Sequence, residues 1–510
     1  MVAKDFEYPD RDQAFLLPPD MREWLPEGHL VWLVIDTVAA LDLTSFRKRA
    51  KLGGVGRAPL DPAMLLALLI YAYAHGQRSS RQIERLCETD VAFKVICGNN
   101  PPDHTVIARF RSAHDEAFAE LFTQVLRLCA SQGLGRFGVV AIDGTKIAAD
   151  ASKQMNRSED SLRAEATRIL AEAAAVDAAE DAEFGDARGD ELPPELADPT
   201  TRAARIREAL TQIEAEKAAE TEANMAASNI EGFDARIAKS RQRLERVTAE
   251  VTTRWERRTA REAESGRRSP GRRPVPPQAD SRVRSAQASL ERLTDRRARA
   301  AARAARPTRM RSTRANTTDP DSRLLPVKGG FIQGFNAQLA VTADQLITAV
   351  SLSNLANDTD QFIPMMHATE AAIADLAQST DRDDLAIGVL LADAGYFSEA
   401  NLTAEGPDRL IAAGDRRSQH DSPVTTGEPP PGSTPSARMR HRVATEEGRA
   451  LYRHRSSTVE PVNGHLKDRI GLRRFSRRGQ EAGLGELNLA ATVLNLLKVH
   501  RLKVHRTATA

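Results

Sequence analysis

The period of hydrophobic and polar positions changes several times along the chain, and each change marks an element. Leu30–Ile35, Val38–Leu41 and Leu43 give an apolar helical pattern. Asp61-Pro62 then opens Ala63–Ala74, with aspartate placed to cap and proline at the first helical position. That run is apolar nearly all round, so it predicts the centre of a helical module. Gly76-Gln77-Arg78 breaks it, and Ser79-Ser80-Arg81-Gln82 has the spacing of a capping box for a helix through Cys87. Gly98-Asn99-Asn100-Pro101-Pro102 is the next break, and Asp103-His104-Thr105 starts a short helix over Val106–His114. His104 reads as a cap or surface residue, because no companion ligand stands at metal spacing in the sequence. Further on the period shortens. Val139–Ile142 reads as a buried strand that ends in Asp143-Gly144-Thr145-Lys146. Lys328–Val341 and Leu346–Leu352 read as a hairpin, and Asn357-Asp358-Thr359-Asp360 as the cap of a following helix. Leu385–Ala392 is an apolar strand that delivers Asp393, Ser398 begins a short helix, and Arg409–Ala413 is a fifth strand. The chain ends in two helices, Glu460–Ile470 and Leu487–Leu502.

Between the first two strands lies a segment of another kind. Ile230, Phe233, Ile237, Leu244, Val247 and Val251 follow a heptad seam, with Ser240 in its one gap. Ser269–Pro277 stops the seam, and Val283, Ala286, Leu290 and Leu293 resume it. This predicts a long helical hairpin whose seam packs its own two arms. Glu191-Leu192-Pro193-Pro194 breaks the acidic helical stretch before it.

The expected organisation is therefore an all-α module over 1–135 and a catalytic domain split between 136–155 and 319–505. A coiled-coil-like insertion over 156–318 and a mobile Pro/Ser/Gly-rich loop over 415–440 complete it. Three strands, helix, strand, helix, strand, helix is the order of a mixed five-stranded α/β sheet of RNase H-like type. Length agrees with several domains: 510 residues is a soft prior of about three.

Charge changes the picture more than composition does. The net charge is only +2, yet 24 basic residues stand against 8 acidic ones from Arg236 to Arg314, and 16 against 6 from Pro431 to Ala510. Basic segments of that size are the footprint of a polyanion. The successive short helices of the N-terminal module suggest a helix-turn-helix arrangement with Arg78, Arg81, Arg109 and Arg111 as candidate DNA contacts. The three cysteines, Cys87, Cys97 and Cys129, form no C-x-x-C pair, which argues against zinc and a disulfide framework and fits a reducing cytoplasm. No stretch of roughly twenty apolar residues exists to span a membrane. The charged N-terminus lacks a signal peptide's apolar core.

Asp143, Asp393 and Glu460 are three carboxylates at the ends of strands or on a helix. Carboxylates suit Mg²⁺ or Mn²⁺, and two such ions can neutralise the attacking and leaving oxygens of a phosphodiester. The segment Tyr452-Arg453-His454-Arg455-Ser456-Ser457-Thr458-Val459-Glu460-Pro461-Val462-Asn463-Gly464-His465-Leu466-Lys467 resembles the DDE transposases of bacterial insertion sequences. It is most similar to the group whose third acid lies in a tyrosine–arginine–glutamate–lysine signature, here Tyr452, Arg455, Glu460 and Lys467. The gap from Arg455 to Glu460 is one residue longer than the simplest signature, which keeps Arg453 as the alternative arginine. Ala141–Lys146 and Ala392–Tyr396 resemble the first and second acidic motifs. Arg78–Glu84, Pro102–Thr105, Gly334-Phe335-Asn336-Ala337-Gln338 and Leu494–Lys498 resemble further parts of the family. The resemblance implies that Asp143, Asp393 and Glu460 ligate two Mg²⁺ ions, with Mn²⁺ as a substitute, and catalyse strand cleavage and strand transfer. It implies that Tyr452, Arg455, Lys467 and Lys146 hold DNA. Double-stranded element ends and target are the implied partners, for a homodimer on DNA associated with the nucleoid. A metal-dependent nuclease without strand transfer, and a DNA-binding protein with an inactive triad, are the competing readings.

Overall fold

The computed structural model describes residues 20–48, 60–168, 171, 206–215, 230–268, 275–305, 314–380, 382, 384–414 and 424–509. The chain divides into two compact units, one made of residues up to Asn156 and from Asn316 onward, the other of Arg157–Ala315.

The first unit begins with helices α1 (Leu30–Ala40), α2 (Thr44–Arg47), α3 (Pro62–Ala74), α4 (Ser80–Thr89), α5 (Val91–Cys97), α6 (His104–Ala113) and α7 (Asp115–Ser131). Several of their starts are fixed by side chains that accept otherwise unpaired backbone N–H groups. Asp61 accepts from Ala63, Asp90 from Ala92 and Phe93, and Asp103 from Thr105. The capping box expected at Ser79 is not made: Ser79 is the N-cap but gives no side-chain cap bond. Every residue of α3 from Leu65 to Ala74 is buried.

The sheet follows. Strand β1 spans Val139–Ala148, and β2 (Asn156–Ser158) pairs with β3 (Arg314–Asn316) where the insertion begins and ends. Then come β4 (Arg323–Val327), β5 (Gly330–Thr342), β6 (Ile347–Ser353), helix α10 (Phe362–Ser379), β7 (Val389–Ala392), helix α11 (Glu399–Thr403) and β8 (Arg409–Ile411). Helices α8 (Ile230–Ser265) and α9 (Ser281–Ala305) belong to the insertion. The sheet has six strands, not the expected five. Its order is β4-β5-β1-β7-β8, with β6 also paired to β5. The extra strand, β4, forms in the stretch that follows a turn cluster and folds back on the start of β5. β1 runs antiparallel to β5 and parallel to β7, and β8 is parallel to β7. Gly334 is required by this packing, because a Cβ there would lie 2.2 Å from the carbonyl oxygen of Ile147.

Three helices close the unit: α12 (Pro435–Ala444), α13 (Glu446–Asp468) and α14 (Gln480–Thr509). Of the loop expected over 415–440, residues 415–423 lie outside the described residues, and α12 occupies its end. The helix expected to start at Glu460 starts at Glu446, capped by Thr445, whose side chain accepts from Gly448. Pro461 lies inside it. A proline there leaves the carbonyl four residues earlier without its helical donor. Gln345 supplies the replacement, since its Nε2 donates to Ser457 O at 3.2 Å. That is why a sequence that reads as a helix start is the middle of one.

The helical module expected over 1–135 is not a separate body. Val34, Leu66, Phe118, Ile142, Leu339, Leu391 and Leu489 belong to one continuous core. Asn495 of α14 fixes the helix to β6, accepting from Ile347 N at 3.0 Å and donating to Ile347 O at 2.9 Å. Glu486, with a fully buried side chain, accepts from Arg78 Nη1 (2.7 Å), Tyr73 Oη (3.3 Å) and the backbone and hydroxyl of Ser476. Removing one partner of a buried charged network costs more than forming it contributes. Glu486→Ala is expected to lower unfolding free energy by about 3 kcal/mol, read by urea denaturation. A loss below about 1 kcal/mol would show the network to be dispensable.

In the second unit, α8 (Ile230–Ser265) and α9 (Ser281–Ala305) pack on each other with Val251, Val283 and Ala286 buried. Arg297 of α9 pairs with Asp234 of α8 at 2.5 Å, which sets the arms antiparallel. A second cluster buries Leu162, Ile206, Ala209, Ile213 and Ala315. Most of the acidic stretch, including the expected break at 191–194, lies outside the described residues.

Candidate active site

β1 outruns its parallel neighbour. The last β1–β7 pair is Ile142 with Ala392, and the next residue on each strand is a carboxylate, Asp143 and Asp393. Apolar partners bury Val140, Ala141 and Ile142 completely, so the strand that delivers Asp143 is fixed by the core. α13 packs on β1 and β7 here and presents Arg455 and Asn463. Arg455 Nη2 donates to Asp143 Oδ1 at 2.7 Å and lies 3.6 Å from Asp393 Oδ2. Asn463 Nδ2 donates to Asp143 Oδ2 at 3.3 Å.

The electrostatics follow from burial. The Asp143 side chain is 14% exposed and that of Arg455 is 7% exposed, whereas Asp393 is 40% exposed. Desolvation pushes the Asp143 carboxyl up to about 6; Arg455 opposes this and Asp393 adds to it. Burial alone would lower Arg455, but the charges of Asp143, Tyr452 and Asp393 hold it above its ordinary value. Lys467 is lowered, first by desolvation and then by Arg473, with Asp143 and Lys146 acting on it in opposite directions. Lys146 and Lys467 therefore share the neighbourhood of Asp143.

Glu460 is exposed on α13. It lies three residues before Asn463 and seven before Lys467, on the same helix face. Asp143 and Asp393 are thus joined through Arg455, while Glu460 stands one turn along the helix. Among the described residues the three do not form a group with all ligand atoms within 4.8 Å. The group that does is Glu84, Asp103 and His104. His104 Nδ1 lies 2.9 Å from Glu84 Oε2 and 3.8 Å from Asp103 Oδ2. The expectation that His104 has no companions is corrected: they come from α4, two helices earlier, and from its own cap, which sequence spacing does not reveal.

A fourth carboxylate stands behind the first two. Asp358 does not cap the following helix as the sequence suggests. Its Oδ1 accepts from Asn336 Nδ2 (2.7 Å) and Gln338 Nε2 (2.8 Å) of β5. Tyr396, fully buried, donates its hydroxyl to Gln338 Oε1. A Cβ at Gly395 would meet Asp393 Oδ1 at 3.0 Å and Asp358 Oδ2 at 3.3 Å. One at Gly144 would lie 2.6 Å from both Asp358 Oδ1 and Gln338 Nε2. The glycines beside the two aspartates leave the room that Asp358 and its amide holders fill. Asn336 and Gln338 are two polar residues at period two in an apolar strand. That is the one sequence signal for this layer, because buried amides need partners.

The N-terminal arginines separate into two sets. Arg81 and Arg109 are exposed on α4 and α6. Arg111 is buried and donates to Arg78 O at 2.7 Å, and Arg78 is the partner of Glu486. Arg78 and Arg111 are thus held in the interior network, which corrects their reading as groove contacts. Helical periodicity does not say which exposed-looking arginine finds an interior carboxylate. Tyr452 is half-buried beside Arg455.

Residues 19–113 match the family model described as Transposase domain (DUF772), and residues 418–500 match the one described as Transposase DDE domain. The second match contains Arg455, Glu460, Asn463 and Lys467; Asp143 and Asp393 lie outside both matches and are tied to it by the Arg455 bridge. No curated protein and no solved structure matches the chain. No helix among the described residues is long and apolar enough to cross a membrane.

Proposed function

This chain belongs to the DDE-type transposases, and from that premise we propose that it binds the ends of its element as a homodimer and performs divalent-ion-dependent strand cleavage and strand transfer. One observation carries the proposal: two aspartates, Asp143 within β1 and Asp393 just past the end of β7, adjacent beyond the last β1–β7 pair, are bridged by an arginine of the helix that also bears Glu460 and Lys467. Strands β6-β5-β1-β7-β8, three antiparallel and then two parallel, have the connectivity of an RNase H-like sheet, which supports the same reading.

The donor set fits Mg²⁺ or Mn²⁺. Asp143, Asp393 and Glu460 offer hard oxygen donors, and two buried amide oxygens of the site, Asn463 Oδ1 and Asn336 Oδ1, have no hydrogen-bond partner. Bound there, such ions would supply neutralising charge for the attacking and leaving oxygens of a phosphodiester. The chain's own groups do the rest. Asn463 orients Asp143, and Arg455 balances the two carboxylates. Lys146, Lys467 and Tyr452 line the approach on which a DNA strand would lie, with ammonium groups for phosphate and an aromatic face for a base. Arg81 and Arg109, exposed on α4 and α6, are the N-terminal groups left to touch a duplex. The basic arms of the insertion carry exposed arginines suited to a phosphate backbone.

The test uses the purified chain, Mg²⁺ and the DNA flanking its own gene. Nicking that leaves a 3′-hydroxyl, followed by joining to a second duplex, is the expected result. Glu460→Gln is expected to abolish both while leaving retardation of the duplex in place. Nicking without joining would make the protein a nuclease, and binding with no divalent-ion requirement and no cleavage would make it a DNA-binding protein only.

A further inference from the structure

Away from the carboxylates, α13 and α14 bring four basic side chains to one small pocket: His465, Arg469, Lys498 and Arg501, lined also by Gln345. Arg501 acts on the other three. Burial and the neighbouring cations Arg501, Arg469 and Lys498 lower His465. Burial and Arg501 lower both Arg469 and Lys498. The carboxylates near enough to oppose this are engaged elsewhere. Asp468 pairs with Arg473, and Asp344 accepts from Gly135 N, Arg136 N and Thr342 Oγ1. Among the described residues, no carboxylate lies within ion-pair distance of Arg469, Lys498 or Arg501. Gln345 sits at φ +64°, a conformation few non-glycine residues adopt. From there its amide reaches both helices, donating to Ser457 O and accepting from Lys498 Nζ at 3.2 Å. A strained residue thus helps hold an ammonium inside a cluster of like charge.

Packing cations together without counter-charge costs stability, and a polyanion brought to the cluster would offset that cost. We propose that His465, Arg469, Lys498 and Arg501 form a subsite for backbone phosphates of double-stranded DNA, separate from the groups beside Asp143. This rests on the transposase reading and extends it. His465 and Arg469 lie on the face of α13 away from Asn463 and Lys467, so the subsite would hold phosphates other than the cleaved one. It reads no bases, since it presents charge rather than a donor–acceptor pattern.

The experiment measures binding of the full chain to a random-sequence duplex across a salt series, with a chelator present so that divalent ions play no part. Wild type is expected to weaken steeply with salt. Arg469→Ala/Arg501→Ala is expected to show a slope of log affinity against log salt shallower by about 1.8, from roughly 0.9 for each phosphate no longer neutralised. The melting temperature of that variant is expected to be equal to or above wild type, because repulsion is relieved. The corresponding Lys/Lys variant should restore most of the slope. Arg127→Ala removes a charge paired with Asp375 outside the subsite and should leave the slope unchanged. A double variant as steep as wild type overturns the subsite alone. An equal fall for Arg127→Ala also overturns it, since removing any charge would then suffice. A wild type without salt-dependent binding overturns the DNA-binding part of the proposed function.

Discussion

Asp143→Asn is expected to reduce strand cleavage by on the order of a thousandfold or more while leaving duplex binding in place, measured by nicking and gel-shift assays on the same preparation. The reason is charge: the amide keeps the shape but removes the anionic oxygen that a divalent ion requires. The same residue predicts a pH signature independent of turnover. Its carboxyl is raised in the folded state from 3.8 to about 6, mainly by desolvation. The fold therefore holds the proton more tightly than the unfolded chain does. Between those two values the folded state binds more protons, so this group's contribution to stability falls as pH rises through the window and stays low above it. A divalent ion that favours the ionised form should offset that loss. The rise in melting temperature on adding Mg²⁺ is expected to be small at pH 5, larger at pH 8, and absent in Asp143→Asn. A rise equal in wild type and variant would remove Asp143 from the ion site.

Arg455→Ala is expected to cost about 3–5 kcal/mol of unfolding free energy without added divalent ion, measured by urea denaturation. The guanidinium is nearly inaccessible and lies 2.7 Å from Asp143 and 3.6 Å from Asp393. Its removal leaves two neighbouring carboxylates, one of them mostly buried, with no compensating charge between them. Mg²⁺ should recover more stability in this variant than in wild type, since the ions and the guanidinium answer the same negative charge. Arg455→Lys should be intermediate, because it keeps the charge while its shorter chain and compact ammonium do not reproduce the position of Nη2 beside both carboxylates. A loss under about 1 kcal/mol, the range of exposed pairs, would mean that the bridge is incidental.

The sequence determined much about this protein. An apolar β-branched run before Asp143-Gly144 reads as a central strand, and it is one, but the strand does not end at the carboxylate: it continues to Ala148, paired with β5. Period-two and period-3.6 patterns gave the mixed sheet and the helices before and after it, because burial of one face dictates those periods. The strand β4 and the true start of α13 escaped. The first follows a turn cluster that hides a short pairing segment, and the second depends on a glutamine more than a hundred residues earlier repairing the break at Pro461. The fates of Arg78 and Arg111 were hidden for the same reason: their partners, Glu486 and each other, are joined only across the folded core.

Residue type and local spacing are properties of a chain, so the acidic motifs, the basic segments and the helical insertion could be read directly. Which carboxylates become neighbours is a property of register and packing. Asp143 and Asp393 meet because β1 and β7 pair in parallel up to the residue before each of them. Asp358 leaves its helix for the site because two amides of β5 take its oxygen and two glycines clear the space. Those contacts span tens to hundreds of residues, and only the tertiary fold supplies the proximity that turns a scattered set of charges into a site.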